Sequence, residues 1–156
     1  MSLGSVVQLK LEHVFDLHLS FGEEQRLGPT SLAHTRVFYL VGGGTVWGPR
    51  LNGEIVAGSG SDAPSLNHDR VVLGGEWLIR AADGALISAK ITGYAAGTAP
   101  GDVWRADRPE LAAASLHLAP IFEAPDGPHA WLNRTVFVAK GDRLRTNSGM
   151  RIYAVM

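Results

Sequence analysis

Cysteine is absent from the 156 residues, which excludes disulfides, thiolate metal sites, iron–sulfur clusters and a cysteine nucleophile. An excess of either charge is also lacking. Lys and Arg number 14 against 15 Asp and Glu, a formal net charge of −1, so nothing in the electrostatics favours nucleic acid or an anionic membrane. No stretch approaches the roughly 20 apolar residues of a membrane span, and no basic segment leads into an apolar run, so the expectation is a soluble, unexported, cytoplasmic protein. Helical periodicity is nearly missing. Its one candidate is 108–114, where Pro109 suits a first helical position and Glu110 a first turn. Arg143, Arg145 and Arg151 gather near the end of the sequence among acidic and neutral neighbours and read as a solvated face.

What is present is alternation. Val7, Leu9 and Leu11 alternate with Gln8, Lys10 and Glu12, and Phe15, Leu17 and Leu19 with Asp16, His18 and Ser20, the two-residue period of a strand with one buried face. The same pattern runs through "TRVFYLV" from Thr35, "EIVAG" from Glu54, "RVVLGGEWLIRA" from Arg70, "ALISAKITGY" from Ala85, "ASLHLAPIFE", "HAWLNRTVFVAK" and "MRIYAVM". Asp83-Gly84 between two such runs predicts a two-residue type I′ hairpin. With 46% apolar and 19% charged residues, the chain is long enough for one domain, residues 1–156. The fold class that follows is all-β: a closed antiparallel β-barrel of about eight strands, with one short helix near 108–114.

Seven of the 19 glycines lie between 41 and 62. A phosphate loop needs its glycines to open a helix, with Lys-Ser/Thr following, and here they run into Pro49-Arg50-Leu51 and Ala63-Pro64. Glycines that let a barrel wall bend and close are the better reading. "GGGTVWGPRLNGEIVAGSGSD", "RAADGALI" and "IFEAPDGPHAWLNRTVFVAKG" occur in an order and spacing that resemble the bacterial and fungal family called domain of unknown function 3237, from about Leu9 onward. The resemblance implies a barrel similar to allene oxide cyclase and the dirigent proteins, with an internal cavity for small oxygenated molecules, and it implies no reaction. Asp62, Glu123 and Asn133 stand at the family's polar mid-strand positions. Ala63 stands where members usually show Trp, and Glu76 and His117 stand where arginines are common, which alters the charge expected of a cavity.

Candidate chemistry follows from these residues. His117, Ala119, Ile121 and Glu123 would share one face of an undisturbed strand, although Pro120 can shift the later ones. Glu76 alternates with Trp77, so either Glu76 faces the lumen or Trp77 fills it. Asp62 is a turn residue or a cavity carboxylate. The expected acid–base set is Glu123, His117, Asp62 and Glu76. Arg50, Asn133, Trp131 and His129 are expected to bind or polarise ligand, with Asn133 alternatively satisfying buried backbone. His13 and His18, five apart, would face opposite sides of a strand, and no His-x-His pair occurs, so no metal and no cofactor are expected. The function expected is that of a small-molecule-binding barrel acting as a cofactor-free isomerase, cyclase or lyase on a small apolar oxygenated molecule. The alternative is a non-catalytic carrier or sensor of such a molecule, and a homodimer is expected in either case.

Overall fold

The computed structural model describes residues 4, 6–97, 99–105 and 112–156. Among them eleven strands join one antiparallel sheet. The long ones are β1 (Leu11–Leu27), β2 (Thr35–Trp47), β6 (Val71–Ala81), β7 (Leu86–Ala96), β10 (Phe137–Arg143) and β11 (Asn147–Val155). The short ones are β3 (Gly53–Ile55), β4 (Ser61–Asp62), β5 (Ser65–Leu66), β8 (Ala114–Leu118) and β9 (Ile121–Glu123). β1 pairs with both β2 and β11, β11 with β10, β10 with β8, and β7 with both β8 and β6. β3, β4 and β5 lie one after another between β2 and β6, each paired to both. Every long strand among the described residues therefore has a hydrogen-bonded neighbour on each side.

The alternation read from sequence sets the inside. On β6, Val71, Leu73, Trp77, Ile79 and Ala81 are buried, and on β7 so are Ile87, Ala89, Ile91 and Ala95. Edge-on aromatic contacts link Phe15, Phe122, Phe137 and Trp131 through the core. A register shift between His13 and Phe15 buries both Val14 and Phe15 and puts His13 and His18 on the outer face together, not on opposite sides. Val6, Val7 and Leu9 precede β1 and are exposed, so the alternation there does not mark core.

Three local expectations change. The Ala82–Gly84 connection is not type I′: Gly84 alone has positive φ (90°), and Ala81 accepts from Gly84 N–H while donating to Ala85, a type I turn closed by a glycine bulge. Residues Ala130–Arg134 form a 3-10 turn where alternation suggested strand. Of the proposed helix at 108–114, residues 108–111 lie outside the described residues and Ala114 begins β8. A second 3-10 turn, Asp102–Trp104, buries Trp104 completely. No helix among the described residues is long and apolar enough to cross a membrane.

Candidate functional site

The charged residues that face inward come from strand phase. On β10, Phe137, Ala139 and Arg143 are buried in alternation, so Arg143 occupies the inward position that an apolar residue would normally fill. It is 2% exposed. Its guanidinium carbon lies 3.5 Å from the centroid of Phe21, 4.8 Å from that of Tyr39 and 5.8 Å from that of Trp104, an aromatic cage for a cation. Asp62 on β4 reaches it at 3.3 Å. Yet none of the three guanidinium nitrogens has a well-formed hydrogen bond, and the buried indole nitrogens of Trp77 and Trp104 have none either. A desolvated cation without well-formed hydrogen bonds is costly to the fold.

The titration of this pair reflects its burial. Burial pushes the Asp62 carboxyl up to about 6, against the pull of Arg143 in the other direction. Burial likewise lowers Arg143, with Asp62, Tyr39 and Glu24 opposing it. Asp62, Arg143, Gly74, Gly75, Met150 and Ser148 line an internal cavity of about 20 Å³, space for one water-sized group. On the other side of the wall an outer cleft of about 310 Å³ shares Gly74, Gly75 and Ile91 with it and carries Glu76, Lys90, Arg36 and Phe38 on its rim. Two residues without side chains thin the wall between cleft and cavity.

Behind Arg143 a second polar layer holds the cage. The Tyr39 hydroxyl donates to Glu24, whose carboxylate also accepts from Arg145 at 2.8 Å and from Arg26 at 3.3 Å. Arg26 donates to the Trp104 carbonyl and Arg145 to that of Arg105, tying the 3-10 turn over this end. Burial alone would raise the Glu24 carboxyl, but the bonds from Arg145, Tyr39 and Arg26 outweigh it and hold the group at about 2. Burial and the bond to Glu24 both push the Tyr39 hydroxyl up. A carboxyl held below its unfolded value stabilises the fold at pH above about 4.5 and ceases to as pH falls toward 2. Glu24→Gln is expected to cost roughly 1–2 kcal/mol at pH 7, after allowance for solvent screening, and to flatten the acid limb between pH 5 and 2. Urea titrations of both proteins across that range check it; parallel acid limbs would count against the assignment.

The residues expected from sequence fall into three places. Asp62 is at the interior pair. Glu76 is exposed while Trp77 is buried, so the indole takes the inner face and the carboxylate the rim of the outer cleft. His117 and Glu123 share a face as alternation suggests, but it is the outer one: both are exposed, with Leu118 and Phe122 turned inward. Pro120 divides β8 from β9 without reversing that phase, because both segments pair along β7.

The third group stands near the start of β1, where Arg50 N–H donates to the Val14 carbonyl. The Arg50 guanidinium lies 3.7 Å over the Trp131 ring, and His129 meets Asp83 at 2.8 Å. Asn133 accepts from Ala124 N–H at 2.7 Å and donates to the Ala124 carbonyl at 2.9 Å, so its amide is occupied in clamping backbone. Arg143, Arg145, Glu24 and Tyr39 were not singled out as a site. Arg143 and Arg145 do not belong to a solvated face, and the signal was available: Phe137, Ala139 and Gly141 set an inward phase that lands on Arg143.

A search of the curated proteins gives no match. Among solved structures, a conserved protein of unknown function from Rhodopseudomonas palustris superposes with a TM-score of 0.86 at 19% identity, over 97% of this chain and 100% of that one. A β-barrel-like protein from Acinetobacter baumannii AYE gives 0.83 at 24% identity, over 98% and 99%. An enzyme from Penicillium herquei gives 0.67 at 20% identity, over 96% and 99%. At these identities the likeness is one of fold, and it supports an all-β, barrel-like architecture. A family model matches residues 9–155, nearly the whole chain, and the protein therefore belongs to the family of proteins of unknown function DUF3237.

Proposed function

We propose that this chain is a closed, small-molecule-binding barrel in which Asp62 and Arg143 carry out acid–base chemistry, without a cofactor, on a small, largely apolar oxygenated ligand. The pairings support closure: with β3–β5 counted as one interrupted strand and β8–β9 as another, eight strands follow one another and return to β1. The observation that carries the functional reading is the Arg143 guanidinium, buried on three aromatic rings with its donors unused beside a carboxyl that titrates near 6. Donors held in place within a buried site suit an oxygen that gains negative charge, as a carbonyl does on forming an enolate. A carboxyl with a pKa of about 6 can give or take the matching proton near neutral pH. The cavity has the volume of one oxygen-sized group and shares the Gly74–Gly75 wall with the larger outer cleft. That the Penicillium relative is described as an enzyme supports catalysis over mere carriage.

Isomerisation, cyclisation and elimination all begin with such a proton transfer, so exchange is the common readout. Enolisable ketones and 1,3-dicarbonyls incubated in deuterated water are expected to exchange faster with the wild type, the rate rising with pH to a plateau above about 6 if Asp62 is the base. Asp62→Asn is expected to lower that rate by about 10²–10⁴-fold while leaving affinity nearly unchanged. Ligands bound by both proteins and exchanged by neither would establish a carrier instead.

A further inference from the structure

The outer face of β10 and its neighbours carries two adjacent rows of side chains that differ systematically. The registers place Asp16, Arg151, Lys140, His117 and Tyr94 side by side in one row, across β1, β11, β10, β8 and β7. Two residues along, the next row on the same face is His18, Gly149, Asp142, Ser115 and Ala96. The first row is long at four of its five positions and carries the cations Arg151 and Lys140. The second is short at four of its five positions, and an added Cβ at Gly149 would meet nothing within 4 Å. The short row forms the floor of a trough of about 500 Å³, bounded by Trp47, Lys140, Arg151 and Tyr153.

We infer that this face is a two-fold interface with a second copy of the same chain. A two-fold axis lying between two packed sheets and perpendicular to their strands reverses strand direction and keeps each strand opposite its own copy. Centred between Lys140 and Asp142, it sets the first row of one chain against the second row of the other. Lys140 then meets the second copy's Asp142, and Asp142 its Lys140. On the strands flanking β10, Arg151 of β11 enters the space over the second copy's Gly149 and His117 of β8 meets Ser115, while β1 and β7 curve away from the contact. Every pairing joins large to small or opposite polarities, and each occurs twice by symmetry.

The same operation carries the exposed Leu144 to Val138, at the edge of an apolar groove of about 880 Å³ lined by Leu11, Val72, Tyr94, Leu118, Val138 and Tyr153. Neither Lys140 nor Asp142 has an ion-pair partner among the described residues, so the pair is free to form across the axis. This contact leaves Asp62 and Arg143 untouched and stands or falls apart from the proposed chemistry.

Sedimentation equilibrium from micromolar to hundreds of micromolar protein tests it. The wild type is expected to be a dimer. Lys140→Asp and Asp142→Lys each place like charges together twice and are expected to weaken association by about tenfold or more. The double exchange of both residues restores opposite charges and is expected to recover the dimer. Gly149→Arg fills the trough opposite Arg151 and is expected to give monomer with an unchanged melting temperature. A monomeric wild type, a dimer indifferent to these single variants, or a double exchange that fails to recover would each overturn the interface.

Discussion

Replacing both members of the interior pair, Asp62→Val with Arg143→Met, is expected to give a protein about 1–4 kcal/mol more stable than the wild type and devoid of exchange activity. The physical reason is that the pair is poorly solvated by its surroundings: the guanidinium is buried and its nitrogens lack well-formed hydrogen bonds. Apolar residues of similar volume remove that desolvation cost without leaving a charge behind. Valine has one side-chain heavy atom fewer than aspartate, so it adds nothing that the small cavity beside residue 62 must accommodate. The single variants are expected to behave differently from the double and from each other. Asp62→Val alone strands Arg143, which cannot shed its charge, and costs about 3–5 kcal/mol above pH 6 but less at pH 5, where wild-type Asp62 is already largely protonated.

Arg143→Met alone strands Asp62, which can. Asp62 already titrates near 6 because of burial, and losing its counter-charge raises it further. A carboxyl raised above its unfolded value favours the fold fully below about 3.8 and loses that contribution as pH climbs through the folded value. Arg143→Met is therefore expected to be nearly as stable as wild type at pH 5 and clearly less stable at pH 8. Urea unfolding of the four proteins at the two pH values distinguishes these cases. A double variant less stable than both singles would show that the pair is kept for stability and not for chemistry.

Gly60→Ala is expected to cost about 3 kcal/mol or more, among the largest losses from adding one methyl group anywhere in this sheet. A Cβ at residue 60 would sit 1.7 Å from the Glu76 carbonyl oxygen, and 2.7 Å from its carbon, so backbone and not a pliable side chain must yield. Gly60 also accepts from Val41 N–H at 2.9 Å and leads into β4, so the displacement is passed to Asp62. Gly74→Ala is the control, since its Cβ would meet nothing within 4 Å. It is expected to be neutral or to stabilise by about 0.5 kcal/mol through the unfolded chain. Denaturation midpoints decide, and equal values for the two would remove close strand approach as the reason for glycine at 60.

The contrast shows why the glycine-dense segment was legible as a sheet device from sequence. It carried no helix for a phosphate and no nucleotide lysine, and in the structure Gly60 permits the β4–β6 contact. Period-two alternation placed β6 and β7 correctly because it depends only on which face is wet. It misplaced Val7 and Leu9, since alternation cannot tell a strand against the core from an extended arm beside it.

The site was harder to read for the same reason. His117 and Glu123 follow the alternation faithfully, and the apolar residues between them, Leu118 and Phe122, claim the interior. Arg143 shares the phase of Phe137 and Ala139, but a cation in a core position reads as surface until its aromatic cage is visible. Those rings come from β1, β2 and the 3-10 turn at 102–104, and no local pattern links them.

The pairing of β1 with β11 joins residues such as Leu11 and Val155 across almost the full described sequence. During synthesis the first strand has β2 on one side and nothing on the other until the last strand leaves the ribosome. Until β11 has been made, β1 thus presents a bare row of amides and carbonyls along that side, and a nascent chain in that state depends on being shielded or finished quickly.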